Sequence, residues 1–239
     1  MRAFLRRAVQ KGYDLSGALR NLTFALGLCL GAATAASAQP VTVVALGDSL
    51  TAGYGLPAED GLVAQLQTWL DARGPGRIAL QNAGVSGDTS AGGRARVDWA
   101  LGPEAGALIV TLGGNDMLRG LPPEDLRANL AAILDAARAR DLPVLLVGMR
   151  SPSNWGPDYK AAFDAVYPDL AQAHGAILVP DFFAGLIAAG GDPSDPASMT
   201  AWMQGDGIHP NAEGVRLIVE ALGPEVERLA ERAGAAPLP

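Results

Sequence analysis

The chain has 239 residues, of which 49% are hydrophobic, and it carries a formal net charge of −7 at pH 7. This acidic balance argues against nucleic-acid binding, which needs a basic surface. Its single cysteine, Cys29, lies in the N-terminal segment, so the rest of the chain can form no disulfide, thiolate nucleophile or cysteine metal site.

Residues 1–38 are predicted to be a secretory signal peptide. They carry five basic residues, continue with an apolar stretch over about 22–35 and end in Ala36-Ser37-Ala38. That stretch is shorter than the roughly 20 residues that a membrane-spanning helix needs, and the small residues after it suit cleavage before Gln39. A retained membrane anchor, or a lipoprotein modified at Cys29, is the alternative interpretation.

The mature chain, residues 39–239, is predicted to be one domain, because no linker, repeat or low-complexity run divides it. Without the peptide, the chain has 13 basic and 24 acidic residues. We expect a monomer that is exported to the periplasm, or alternatively secreted from the cell, with no stable membrane anchor after cleavage.

Five short apolar runs, each followed by an amphipathic helical segment, predict the fold. The predicted strands are Val41–Leu46, Arg77–Ala83, Ala107–Leu112, Pro143–Met149 and Ala176–Pro180. Because these runs are apolar on both faces, we expect a buried parallel sheet in a three-layer α/β/α sandwich. Pro122-Pro123 is predicted to begin a helix, and Gly74 and Gly175 are predicted to end helices.

Polar motifs follow these strands, and the carboxyl ends of parallel strands meet at one edge of a sheet. Gly47-Asp48-Ser49-Leu50 comes after the first strand, and Asp206-Gly207-Ile208-His209-Pro210 precedes the last helical segment. The Asp206 carboxylate can hold Nδ1–H of the His209 ring while Nε2 faces the Ser49 hydroxyl. Ser49 alone could equally be a helix cap. His174, before Gly175, is predicted to be structural.

Two further loops can supply donors to a tetrahedral oxyanion. Asn82–Thr89 can expose the Gly87 N–H, and Gly113–Asp116 presents the Asn115 side-chain amide, so with the Ser49 N–H there are three candidate donors. Glycines after strands are ordinarily turn residues, so each loop alone is weak evidence. Together the four blocks indicate acyl transfer by a serine.

These four blocks resemble the conserved blocks of the SGNH (GDSL) hydrolases, and the resemblance covers the mature chain. It is strongest toward the periplasmic bacterial arylesterases, the group that includes thioesterase I, which is also active as a lysophospholipase. The resemblance implies a catalytic triad of Ser49, Asp206 and His209, and an oxyanion hole formed by Ser49, Gly87 and Asn115. It also implies a flavodoxin-like sheet, a shallow site, no metal and no cofactor.

Substrate contacts are less strongly indicated by the sequence. Tyr54, Trp155 and Trp202 lie near the catalytic blocks and could line an acyl or aryl pocket, although aromatic residues are more often core. Leu118-Arg119-Gly120-Leu121 resembles the mobile substrate loop of thioesterase I, which makes Leu118 a further candidate contact.

The predicted function is a serine esterase that acts on small acyl or aryl esters, with acyl thioesters and lysophospholipids as further candidate substrates. One alternative is a carbohydrate O-acetylesterase with the same triad and a polar sugar groove. A metallophosphoesterase would need several imidazoles, whereas this chain offers one plausible histidine ligand. A non-catalytic binding module would not require a serine, a base and oxyanion donors together.

Overall fold

The computed structural model describes residues 39–236, so the predicted signal peptide lies outside the described residues. The strands are β1 (Val41–Gly47), β2 (Ile78–Gly84), β3 (Ala105–Thr111), β4 (Val144–Val147) and β5 (Ile177–Val179). They form one parallel sheet in the order β2-β1-β3-β4-β5, which is the flavodoxin-like order. The five-stranded parallel sheet that the apolar runs predicted is confirmed, with strand ends displaced by one or two residues.

The helices between and after these strands cover the sheet. In the described part of the chain they are α1 (Ser49–Ala52), α2 (Leu62–Asp71), α3 (Ser90–Ala100), α4 (Gly114–Leu118), α5 (Pro123–Arg138), α6 (Pro157–His174), α7 (Ala184–Ala188), α8 (Pro196–Met199) and α9 (Ala212–Arg232). Short 3₁₀ helices occupy Ala58–Asp60, Ser153–Trp155 and Thr200–Trp202.

Alternate side chains of the central strands enter two separate hydrophobic clusters. Val43 of β1 packs with buried residues of α2, α7 and α9, whereas its neighbour Val44 packs with buried residues of α3, α5 and α6. Both faces of the sheet are therefore covered by helices, because successive strand residues point to opposite faces. The predicted three-layer α/β/α sandwich is confirmed.

Two local expectations differ from the structure. The edge strand β2 is not buried on both faces, since Gln81 and Asn82 are exposed where no further strand covers them. Helix α2 ends at Asp71, three residues before the predicted stop at Gly74, and the Gly74 N–H donates to the Leu70 carbonyl at 3.0 Å in the turn that follows. By contrast, Gly175 does cap α6, with a φ of 65° that favours glycine.

The sheet edge that carries the polar motifs is closely packed. A Cβ at Gly84 would overlap the backbone nitrogen of Ala52, so glycine at the end of β2 lets α1 lie directly against that strand. Gly113 has a φ of 117°, and a Cβ there would overlap the Tyr167 hydroxyl. Glycine at these two positions therefore lets β2 pack against α1 and lets the loop after β3 pack against α6.

Among residues 39–236, no helix combines the length and the apolar character needed to cross a membrane.

Candidate active site

The pairing register brings three motif-bearing loops together. Gly47 at the end of β1 lies beside Gly84 of β2 on one side and Thr111 of β3 on the other. The Ser49, Gly87 and Asn115 loops therefore start from adjacent points of the same edge. This is the edge at which ligands bind in open parallel sheets, near the position where the strand order reverses.

Ser49 is the first residue of α1, and the turn that presents it is fixed by Asp48. The Asp48 side chain caps the helix by accepting a hydrogen bond from the Leu50 N–H at 3.0 Å. Behind this turn, the Arg96 guanidinium donates to the carbonyls of Gly47 and Ala83 at 2.9 and 2.7 Å. Arg96 thus ties the ends of β1 and β2 together and limits movement of the serine.

The Ser49 hydroxyl lies 2.8 Å from Nε2 of His209, and Nδ1 of that ring lies 2.7 Å from Oδ2 of Asp206. The three residues that the two sequence blocks nominated therefore form one hydrogen-bonded series. The His209 side chain is mostly buried, with 14% of its surface exposed, and the Tyr54 ring lies 4.6 Å from the imidazole between ring centroids. These contacts hold the ring in a single orientation.

The loop that carries Asp206 and His209 is closed on itself. Met203 and Pro210 form an antiparallel bridge, and the Gln204 N–H donates to the His209 carbonyl at 2.8 Å. The Gln204 side-chain amide donates to the carbonyls of Pro210 and Tyr54, both at 2.9 Å. The second of these bonds connects the histidine loop directly to the chain that follows Ser49.

Asp206 is held as a carboxylate. Its pKa is lowered to about 2, mainly by the hydrogen bond from the His209 backbone N–H, then by the His209 ring and by the Ile208 N–H. One oxygen accepts both backbone N–H groups, at 2.9 and 3.0 Å, which leaves the other oxygen for the ring. A carboxylate facing Nδ1 keeps the proton on that nitrogen and leaves Nε2 free to accept one.

The three candidate oxyanion donors converge on the same edge. Among the described residues, neither the Ser49 N–H nor the Gly87 N–H donates a hydrogen bond to a protein acceptor. The Asn115 side-chain amide donates to Oδ2 of Asp48 at 3.4 Å, which orients its nitrogen and leaves a second N–H available. Donors held in place before the reaction suit the stabilisation of a developing negative charge.

A buried network joins the Gly87 and Asn115 loops. Asp116 is 2% exposed, and its carboxylate accepts hydrogen bonds from the Ser90 hydroxyl at 2.5 Å and the Ser90 N–H at 2.8 Å. The Asn129 amide donates to the same hydroxyl at 3.0 Å. Ser90 begins α3 directly after the Gly87 loop, so Asp116 fixes the spacing between two of the three candidate donors.

Burial raises the pKa of Asp48 to about 6, although its hydrogen bonds from Leu50 and Asn115 oppose this shift. An aspartic acid whose pKa is raised on folding stabilises the protein below its unfolded value, here 3.8, and this contribution is lost as pH rises through about 6. The shift corresponds to about 3 kcal/mol.

We expect Asp48→Asn to remove this pH dependence and to raise the free energy of unfolding at pH 8 by about 1–3 kcal/mol. The variant should also lower kcat. If the asparagine oxygen keeps the bond from the Leu50 N–H, its NH₂ group faces the NH₂ group of Asn115, which then loses its acceptor. Urea unfolding at pH 4 and pH 8 measures the first effect, with the exposed Asp98→Asn as control. If the free energy of unfolding differed between pH 4 and pH 8 by the same amount in Asp48→Asn as in the wild type, the raised pKa would not belong to Asp48.

The four candidate substrate residues have different environments. Tyr54, Leu118 and Trp155 are about half exposed, in the segments that follow β1, β3 and β4. Trp202 is partly buried and packs against the hydrophobic cluster that contains α9. Of the first three, Tyr54 contacts the His209 ring, and Leu118 lies three residues after Asn115. The environment of Trp202 favours a packing role.

His174 lies at the end of a helix, and the acidic side chains of residues 39–236 do not group as a metal site would require. His174 is the last residue of α6, and its Nδ1 lies 3.7 Å from an Asp135 oxygen. In the part of the chain that the structure describes, no three or more His, Cys, Asp and Glu side chains are grouped as a metal ion would need.

Sequence reasoning missed Arg96 and Gln204. A lone arginine on a helix carries no distinguishing pattern, and its two carbonyl partners lie 13 and 49 residues away. Gln204 lies two residues before Asp206, and that proximity is the only signal in the sequence that could have found it.

Residues 45–217 match the GDSL-like lipase/acylhydrolase family. The esterase TesA of Pseudomonas aeruginosa is 42% identical over 195 residues, which cover 81% of this chain and 90% of that protein. A protein of Escherichia coli named thioesterase 1/protease 1/lysophospholipase L1 is 34% identical over 189 residues, which cover 79% of this chain and 84% of that one.

A solved structure of the psychrotrophic esterase EstA from Pseudoalteromonas sp., inhibited by monoethylphosphonate, is similar throughout. The TM-score is 0.70 at 33% identity, covering 80% of this chain and 98% of that one. The fold and these similarities define a serine hydrolase that acts on ester bonds. More particularly, the chain belongs to the GDSL-like lipase/acylhydrolase family, whose SGNH fold the sequence blocks indicated.

Proposed function

We propose that this hydrolase cleaves acyl and aryl carboxylic esters through an acyl-enzyme on Ser49, with His209 as the base and Asp206 as the residue that orients it. The observation that carries the proposal is the hydrogen-bonded series from Asp206 through His209 to Ser49, with separations of 2.7 and 2.8 Å. A serine hydroxyl is a poor nucleophile until such a base removes its proton.

In the first half-reaction, Nε2 of His209 takes the Ser49 proton while Oγ attacks the ester carbonyl. The oxyanion that forms accepts hydrogen bonds from the Ser49 and Gly87 N–H groups and from the Asn115 amide. As this intermediate collapses, the imidazolium protonates the departing alcohol, phenol or thiol, and the acyl group stays on Ser49. Water, deprotonated by the same ring, then attacks the acyl-enzyme and releases the acid.

The substrate class follows from the surroundings of Ser49. The exposed apolar side chains of Tyr54, Leu118 and Trp155 favour an acyl or aryl group over a charged one. Acyl thioesters and lysophospholipids are further candidate substrates, which the name of the similar Escherichia coli protein supports. The N-terminal pattern supports removal of residues 1–38 and export of the mature enzyme, residues 39–239, to the periplasm, where we expect it to act as a monomer.

Labelling with a fluorophosphonate probe, followed by peptide mapping, tests this proposal. We expect the label on Ser49 in the mature protein, none in Ser49→Ala, and hydrolysis of p-nitrophenyl esters that EDTA does not affect. Turnover that needs a metal and leaves the serine unlabelled would instead favour a metallophosphoesterase. A protein with neither label nor turnover would be a binding module.

Asn115→Ala should cost about 2.7–4 kcal/mol of transition-state stabilisation, which corresponds to a fall in kcat of about 10²- to 10³-fold. KM for p-nitrophenyl acetate should change little, because the lost donor acts on the oxyanion and not on the bound ester. Steady-state kinetics measures both constants, and thermal unfolding controls for misfolding. A kcat within threefold of the wild type would show that Asn115 is not an oxyanion donor.

A further inference from the structure

The segment Met117–Leu121, which runs from the end of α4 into the next loop, is held by aromatic residues from elsewhere in the chain. Nε1 of Trp155 donates to the Met117 carbonyl at 2.9 Å, and the Tyr159 hydroxyl donates to the Leu121 carbonyl at 3.0 Å. Trp155 lies in the 3₁₀ helix after β4, and Tyr159 lies in α6. Two separate elements therefore hold this segment from one side.

The contact with Trp155 is also steric. Gly120 has a φ of 60°, and a Cβ at this position would lie 2.7 Å from the Trp155 ring. The indole thus covers the turn that ends α4, although 47% of Trp155 is exposed. On the opposite side, the Arg119 guanidinium donates to the Gly87 carbonyl at 2.9 Å, so the segment also contacts the second oxyanion loop.

The segment is directly connected to Asn115. Helix α4 has five residues, and the Arg119 N–H donates back to the Asn115 carbonyl at 3.2 Å. A helix of this length is unstable by itself, since one or two backbone hydrogen bonds do not offset the entropy of ordering it. Tertiary contacts at both ends must therefore fix its position, and Trp155 supplies one of the contacts at its carboxyl end.

We propose that Trp155 is a positioning residue for the oxyanion hole: it holds Met117–Leu121 in place and, through α4, fixes the Asn115 amide. This proposal rests on the proposed function of the Asn115 amide as an oxyanion donor. It differs from the simpler role of Trp155 as a wall of the acyl pocket. A wall affects only substrates that are long enough to touch it, whereas a positioning residue affects every substrate.

The test therefore uses p-nitrophenyl acetate, whose acyl group is the two-carbon acetyl group. Trp155→Phe keeps an aromatic ring and removes the N–H donor. We expect kcat to fall about 2- to 10-fold, the loss of one hydrogen bond, with KM within about twofold. Trp99→Phe is the matched control, because Trp99 is 82% exposed on α3, and it should leave both constants unchanged.

A double-mutant cycle with Asn115→Ala identifies the route of the effect. If Trp155 acts through the Asn115 amide, Trp155→Phe should cause no further fall in kcat once that amide is absent. Independent, multiplying losses in the two variants would overturn the proposal. So would an unchanged kcat for acetate with a loss confined to longer esters, which would leave Trp155 as a pocket wall.

Hydrogen exchange provides a readout that needs no activity. The backbone N–H groups of Arg119 and Gly120 donate to the carbonyls of Asn115 and Met117, and they should exchange several-fold faster in Trp155→Phe than in the wild type or Trp99→Phe. Unchanged exchange would overturn the proposal. If the wild type had no esterase activity but exchange were still faster in Trp155→Phe, the proposed function would be refuted, while the result would confirm that Trp155 holds the segment.

Discussion

Replacement of Ser49 with alanine is expected to lower kcat for p-nitrophenyl acetate by about 10⁴-fold or more, since no acyl-enzyme can form without the hydroxyl. The protein should remain folded. The hydrogen bond of the Ser49 hydroxyl to His209 lies at the partly exposed sheet edge, whereas the turn is fixed by Asp48 and Arg96. The variant thus removes the nucleophilic hydroxyl and keeps the Asp48 and Arg96 contacts that fix the turn.

The matched control for this variant is Ser194→Ala. The Ser194 hydroxyl is exposed in the loop before α8, where it bonds only to the Asp192 carboxylate at 2.7 Å. Its kcat should equal that of the wild type, and circular dichroism should show the same melting temperature for Ser49→Ala within a few degrees. Retention of even a tenth of wild-type turnover by Ser49→Ala would exclude Ser49 as the nucleophile.

Asp206→Asn is expected to lower kcat by about 10⁴-fold, the cost of the wrong imidazole tautomer in a triad of this kind. One oxygen of Asp206 accepts the Ile208 and His209 N–H groups, and the other accepts Nδ1–H of the ring. An asparagine can preserve the first role only by turning its NH₂ group toward Nδ1. That donor favours the tautomer with its proton on Nε2, which can no longer accept the proton of Ser49.

Asp192→Asn tests the same change in a loop of similar construction away from Ser49. Asp192 also accepts hydrogen bonds from a residue two positions later, and these lower its pKa, but no imidazole is involved. Its kcat should be unchanged. Nitrogen NMR of His209 would show directly which ring nitrogen carries the proton in Asp206→Asn. Near-normal turnover with the proton on Nε2 would contradict the proposed role of Asp206.

The sequence was sufficient to predict the five strands and the residues that meet beyond them, because both depend on local patterns. Apolar runs of strand length identify β1 to β5, and the Asp206 block places a carboxylate and an imidazole in a single turn. The contacts that hold these groups are harder to predict, because they join residues far apart in the sequence. Arg96 reaches the Gly47 carbonyl across 49 residues of sequence, and Gln204 reaches Tyr54 across 150.

The environment of individual side chains was equally hard to predict. The apolar run of β2 suggests burial on both faces, but its place at the sheet edge is a property of strand order and leaves Gln81 and Asn82 exposed. Trp155 and Trp202 are both tryptophans near catalytic blocks. One covers a turn at Gly120 and the other packs against a core cluster, a difference that depends on which elements fold beside each.

The closed loop from Met203 to Pro210 carries both His209, the proposed base, and Asp206, the proposed orienting carboxylate, so the two move as one rigid unit. Because both side chains belong to the same turn, a displacement of the loop would carry them together and leave their 2.7 Å contact intact. Such a displacement would instead change the distance between His209 and Ser49. We therefore expect turnover to depend on how the histidine loop is aligned with the Ser49 turn, and the Gln204 hydrogen bond to the Tyr54 carbonyl connects these two parts of the chain.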